Sequence, residues 1–122
     1  MRILIVDDAK FLRERLIRVI EELPGKEVVG EAESVEEAVE DVERTKPDAV
    51  ILDIKLSGGS GIEVLKKIRR KKDGPFIVVL TNYPFTYYRK KCMEEGADFF
   101  FDKAEGLEQV TAALKELQSR KA

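Results

Sequence analysis

From one end of the chain to the other, short unbroken apolar runs alternate with stretches in which apolar residues recur every three or four positions. Ile3 to Val6 is such a run, rich in β-branched residues, and reads as a strand buried on both faces. Leu12, Leu16, Val19, Ile20 and Leu23 then mark one face of a helix, which Pro24-Gly25 ends. Val28-Val29-Gly30 is a weaker second strand. Ser34 with Glu37 three residues on is a capping-box pattern, and Val35, Ala38, Val39 and Val42 face the core behind it. Pro47-Asp48 breaks the chain before a third strand, Ala49 to Leu52. A Gly-containing loop from Ser57 to Gly61 leads into a helix with Ile62, Leu65 and Ile68 on one face, ending in Lys71-Lys72-Asp73-Gly74-Pro75. Phe76 to Leu80 reads as the fourth strand, Pro84 to Glu95 as the fourth helix and Asp98 to Phe101 as the fifth strand. Leu107, Val110, Leu114 and Leu117 give the last helix its stripe. Five βα units in one uninterrupted domain predict a doubly wound α/β fold, a parallel sheet with helices on both faces. In such sheets ligands bind beyond the carboxyl ends of the strands, where the strand order reverses.

Composition narrows this picture. The 122 residues are the size of one domain, and 43% are apolar, as a globular core requires. Charged residues make up 38% of the chain, yet the net charge is only -2, so nothing global points to nucleic acid or an anionic membrane. The absence of His excludes His-based acid/base catalysis and His-ligated metals. Asn82, Gln109 and Gln118 are the only side-chain amides among many Glu, Lys and Arg, which leans towards a thermophilic source. Cys92, the single cysteine, cannot form an internal disulfide and suits a reducing compartment. Its neighbours Lys90 and Lys91 could lower a thiol pKa, but a small residue on a helix is the plainer reading. No run has the length of a signal peptide or a membrane span, so a cytoplasmic protein is expected.

The chemistry lies just after the strands. The first ends in Asp7-Asp8, the third in Asp53 and the fourth in Thr81, and the fifth is followed by Asp102-Lys103. Parallel strands in register would bring these groups to one edge. Three adjacent carboxylates repel one another and need a cation, and a hard divalent ion such as Mg²⁺ suits a few carboxylates plus water. A carboxylate can accept a phosphoryl group as a nucleophile, and Lys103, Thr81 and the ion could each take one equatorial oxygen. Singly, each residue has a bland explanation: Asp7-Asp8 as a helix cap, Asp53 as a turn residue, Thr81 as a strand end, Lys103 as a surface lysine. Joint placement after four strands argues for a site.

With Val6-Asp7-Asp8, Asp53 followed by Ser60-Gly61, Leu80-Thr81, Gly96-Ala97-Asp98 and Lys103 in this order, essentially the whole chain resembles the response-regulator receiver family. The resemblance implies a flavodoxin-like (βα)5 fold with strand order 2-1-3-4-5, and residues 1–122 as a single receiver without an output domain. It implies Asp53 as the phosphoacceptor, Thr81 as the switch hydroxyl and Lys103 as the phosphate-binding lysine. It further implies Mg²⁺ bound by Asp8, Asp53 and the backbone carbonyl of Lys55, with Asp7 reaching the ion through water, and Phe100 as an aromatic that rotates inward when Thr81 moves. The implied partners are a sensor histidine kinase or phosphotransfer protein and a downstream protein target that reads the face of helix 4, strand 5 and helix 5. Such a protein catalyses only its own phosphorylation and dephosphorylation, as a monomer or weak homodimer. Some positions depart from the pattern. Ala104 replaces the usual Pro after Lys103, which disfavours a cis peptide that would cost about 3 kcal/mol. Asn82 stands where Ala or Gly is common and narrows access to Asp53. Ser57 replaces a frequent Pro, and Lys55 and Tyr83 occupy positions that tune phosphoryl lifetime in the family.

Three other readings compete. One is a Mg²⁺-dependent phosphohydrolase acting on a free substrate, which lacks an obvious acid/base group. Another is a receiver fragment cut from a larger regulator. The third is a nucleic-acid binder using Lys66, Lys67, Arg69, Arg70, Lys71 and Lys72, where a solvated basic face is the simpler account.

Overall fold

A computed structural model describes residues 1–68, 74–83 and 85–121. Five strands form one parallel sheet: β1 (Arg2–Val6), β2 (Glu27–Ala32), β3 (Ala49–Leu52), β4 (Phe76–Thr81) and β5 (Phe99–Asp102), in the order β2-β1-β3-β4-β5. Between them run α1 (Lys10–Glu21), α2 (Val35–Thr45), α3 (Gly61–Ile68) and α4 (Thr86–Glu94), with α5 (Glu108–Lys121) at the end. The expected doubly wound, flavodoxin-like order is therefore present.

The unbroken apolar runs follow from helices on both faces. Successive strand residues point to opposite sides, so both sides of a covered sheet must be apolar. Leu4, Val6, Val50, Leu52, Ile77, Val79 and Phe100 pack with Val35 and Ala38 of α2, Val64, Leu65 and Ile68 of α3 and Cys92 of α4. Ile3, Ile5, Ala49, Ile51, Val78 and Leu80 pack on the other side with Leu16 and Ile20 of α1 and Val110, Leu114 and Leu117 of α5. Phe99 and Phe101 join this second layer, stacked with ring centroids 5.6 Å apart.

Several boundaries differ from the sequence expectation. β2 runs for six residues rather than three. It is an edge strand in which only Ala32 is buried, so no apolar run announces it. α4 begins at Thr86, with Phe85 in an extended cap conformation, while Pro84 lies outside the described residues. Arg69, Arg70, Lys71, Lys72 and Asp73, the expected end of the third helix, also lie outside them. Lys66 and Lys67 are exposed, as a solvated basic face requires. The Ser34 cap forms as expected: Glu37 N–H donates to Ser34 Oγ at 3.2 Å. The reciprocal bond goes to the backbone N–H of Glu33 rather than to the cap residue.

The loop after β3 is more ordered than its composition suggested. Lys55–Leu56 pairs antiparallel with Gly59–Ser60, and the chain then turns directly into α3. Gly61 makes this turn possible. Its N–H donates to Ile54 O at 2.6 Å, and a Cβ there would sit 2.0 Å from the carbonyl oxygen of Asp53. No side chain fits at that distance without moving the backbone under Asp53. Gly61→Ala is therefore expected to cost roughly 1–3 kcal/mol of stability, measured as a lower urea midpoint with an unchanged slope.

Candidate functional site

Register places the site. Val6 of β1 lies beside Leu52 of β3, so the residues that follow, Asp7 and Asp53, emerge as neighbours. Backbone bonds carry this alignment past the strand ends: Asp53 N–H donates to Val6 O at 3.0 Å and Asp7 N–H to Ala32 O at 2.9 Å. β1 and β3 are also where the strand order reverses, the position at which doubly wound sheets bind ligands. On β4 and β5, Thr81 pairs with Asp102, and Lys103 follows.

Lys103 starts two strands away from β3, about 10 Å at the usual strand spacing, and its long side chain spans that gap. Nζ lies 2.8 Å from Asp53 Oδ2 and 2.8 Å from Asp7 Oδ2. Asp7 and Asp53 are only 3% and 5% exposed. Their remaining oxygens also have partners: Asp7 Oδ1 accepts from Ala9 N–H at 2.8 Å and Asp53 Oδ1 from Ile54 N–H at 2.7 Å. Asp8 is exposed, and one carboxylate oxygen from each of Asp7, Asp8 and Asp53 lies within 4.8 Å of the others. Mg²⁺ prefers oxygen donors and usually keeps several waters, and this all-oxygen cluster is of the kind that could hold that ion.

Burial pushes the Asp7 carboxyl above the ordinary aspartate range, and its bond to Lys103 only partly offsets this. Burial also opposes the charge on Lys103, but the carboxylates of Asp53 and Asp7 outweigh it and hold the ammonium above its usual value. The net result is one firmly protonated cation between two buried acids.

Thr81 is fully buried, and its Oγ1 accepts from Tyr83 N–H at 3.1 Å. That bond ties the strand end to the loop entering α4 and leaves the hydroxyl proton free to donate. Phe100 is already inside, 4% exposed, with the Arg89 guanidinium 4.8 Å from its ring centroid. Lys55 is exposed and its Nζ lies 5.9 Å from the ring centroid of Tyr83. These two side chains line an open groove of about 310 Å³ with Ile54, Gly59, Ser60 and Tyr88. Asn82 is exposed. Among the described residues no peptide bond is cis, so Lys103–Ala104 is trans. Ala104 N–H donates to Asp102 Oδ1 at 2.9 Å, a bond that the family's usual Pro has no N–H to make.

Arg13 escaped the sequence reading. Its Nη1 donates to the backbone oxygen of Asp7 at 2.6 Å, and its Nε lies 3.0 Å from Glu31 Oε1. One signal was available: the first turn of α1 contains no acidic residue, although a helix N-terminus favours acids over cations. Cys92 is buried, and burial pushes its thiol up to about 11, opposite to any effect of Lys90 and Lys91.

The fold and acidic edge define a doubly wound α/β module with its polar groups gathered at the strand-order switch. The response regulator receiver domain family matches residues 3–115, and the chain belongs to it. The response regulator GacA of Pseudomonas aeruginosa is 29% identical over 117 residues, covering 96% of this chain and 55% of that protein. A cyclic di-GMP phosphodiesterase of Thermotoga maritima is 40% identical over 119 residues, covering 94% of this chain and 31% of that protein. The crystal structure of the response regulator domain of Thermotoga maritima CheB superposes with a TM-score of 0.85 at 30% identity, covering 98% of this chain and 94% of that one. The chain spans about half the length of the first curated relatives it matches, 55% and 48% of two of them. Among the described residues no helix is long and apolar enough to cross a membrane.

Two substitutions probe the electrostatics. Lys103→Met strands two buried carboxylates and is expected to cost about 3–5 kcal/mol, read by urea unfolding at pH 7. Asp7→Asn acts in the opposite direction. A carboxyl whose folded pKa is raised favours folding below its unfolded pKa and loses that contribution as pH rises through the folded pKa. The Asn variant is therefore expected to melt above the wild type at pH 7, with the gap closing as the pH falls towards 4.

Proposed function

We propose that this chain is a phospho-acceptor switch in which Asp53 takes a phosphoryl group from a phosphohistidine on a kinase or phosphotransfer protein. The observation that carries the reading is the contact of Lys103 with both Asp53 and Asp7 at 2.8 Å, which sets a cation where phosphoryl oxygens would arrive. A carboxylate oxygen of Asp53 attacks phosphorus, the phosphorus–nitrogen bond breaks, and the electron pair leaves with the imidazole. Asp8, Asp53 and the backbone carbonyl of Lys55, with Asp7 alongside, would hold Mg²⁺. When bound, that ion neutralises the clustered carboxylates and the incoming phosphoryl oxygens. Lys103 exchanges part of its contact with Asp53 for a phosphoryl oxygen, and the Thr81 hydroxyl donates to another.

Movement of Thr81 releases or strains its bond to Tyr83 N–H, which links the site to α4. Phe100 and the face formed by α4, β5 and α5 then shift between two arrangements, and a protein partner reads the difference. By this reading the chain stops at one phosphoryl group on Asp53 rather than turning over a free phosphoester, because Asp53 is itself the nucleophile and the neighbouring buried carboxylate, Asp7, is engaged by Lys103. Residues 1–122 form a single receiver module, and by this reading it works in the cytoplasm.

The test is intact-mass spectrometry after incubation with Mg²⁺ and acetyl phosphate. The wild type should gain one phosphoryl group and Asp53→Ala none. Equal gain by both proteins, or equal release of phosphate from the donor by the wild type and Asp53→Ala, would count against Asp53 as the acceptor.

A further inference from the structure

Asp8 is the one carboxylate of the acidic cluster that is exposed, so its direction depends on the backbone that carries it. That backbone is held from three sides. Asp7 N–H donates to Ala32 O at 2.9 Å, Ala9 N–H donates to Asp7 Oδ1 at 2.8 Å, and Arg13 Nη1 donates to Asp7 O at 2.6 Å. The third contact fixes the peptide plane joining Asp7 to Asp8. Of these three contacts, it is the one made by another residue's side chain.

The Arg13 side chain is 11% exposed, and it is anchored beyond the site. Nε lies 3.0 Å from Glu31 Oε1, and Nη1 lies 4.0 Å from Glu33 Oε2. A planar guanidinium can bridge a carbonyl and carboxylates in one fixed geometry, which an ammonium cannot do. The two glutamates have a second effect. A free cation beside a cation site would weaken metal binding, and Glu31 and Glu33 neutralise this one. The first turn of α1 thus tolerates an arginine against the helix dipole because the contact with Asp7 and the glutamates compensates.

We propose that Arg13 is a positioning residue for divalent-cation binding, holding the Asp7–Asp8 turn against the end of β2 while Glu31 and Glu33 cancel its charge. This rests on the acidic cluster being the Mg²⁺ site. Outer partners of metal ligands typically contribute 10–100-fold to affinity.

The sign of the effect makes the proposal testable. Simple electrostatics predicts that removing a positive charge near the cluster tightens Mg²⁺ binding. Positioning predicts the reverse. Isothermal titration of the full chain with Mg²⁺, well below the melting temperature of each variant, should show Arg13→Ala weakened about tenfold. Arg13→Lys keeps the charge but loses the bridge, and should be weakened by less. An unchanged or tighter dissociation constant for Arg13→Ala would overturn the proposal while leaving the metal site intact. If the alanine variant does not fold, Arg13→Lys decides, because wild-type affinity in that charge-matched variant overturns the proposal equally. Absence of Mg²⁺ binding by the wild type would overturn the metal site and this proposal together.

Discussion

The ammonium of Lys103 sits between the carboxylates of Asp7 and Asp53, and the arrangement of the functional edge depends on that contact. Two acids at 3% and 5% exposure lie side by side, and burial pushes the Asp7 carboxyl above its ordinary range. The lysine that compensates them is borrowed from beyond the edge strand and reaches across β4. Its reach leaves little slack. The site exists only while β1, β3, β4 and β5 keep their register, so sheet geometry and site electrostatics are one constraint. The same contact explains the chemistry proposed for the site: a cation already placed against Asp53 can transfer part of its interaction to an incoming anion without a large rearrangement.

The last two helices are anchored unequally. α5 buries Val110, Ala113, Leu114 and Leu117, whereas α4 buries Cys92 alone, with Tyr88 partly covered. A helix with so few buried apolar groups lies at the low-stability end of its domain, where rearrangement costs least. α4 is also the helix connected to the site, since Tyr83 N–H is bonded to Thr81 Oγ1 in the loop that enters it. The link to the site and the looseness of the packing therefore meet in one element. Arg89, lying over the buried Phe100 ring, holds the inner end of this path.

The departures from the family pattern have local consequences. Ala104 supplies an N–H that caps the turn after β5, which steadies the segment carrying Lys103. Lys55 and Tyr83 approach each other over the groove that they line together with Ile54, the residue after Asp53. Cys92 serves packing, its thiol kept neutral by the core.

The apolar runs Ile3–Val6, Ala49–Leu52 and Phe76–Leu80 determined that the sheet is parallel and covered on both faces, because a covered strand must be apolar on both sides. Asp7, Asp8, Asp53, Thr81 and Lys103 were visible as polar residues at strand ends, where topology alone brings them together. What the pattern left out follows a physical rule. β2 lies at an edge and buries one side chain, so its length carries no apolar signature. The ladder between Lys55–Leu56 and Gly59–Ser60 is followed by the close passage of Gly61 over the Asp53 carbonyl, a contact between backbones that residue type does not encode. Arg13 is one more charged residue on a helix until folding sets it against Asp7 O and Glu31. Sequence periodicity reports which side chains leave water. Which charged groups meet across the chain, and at what distance, is decided only when the register of the sheet brings distant segments together.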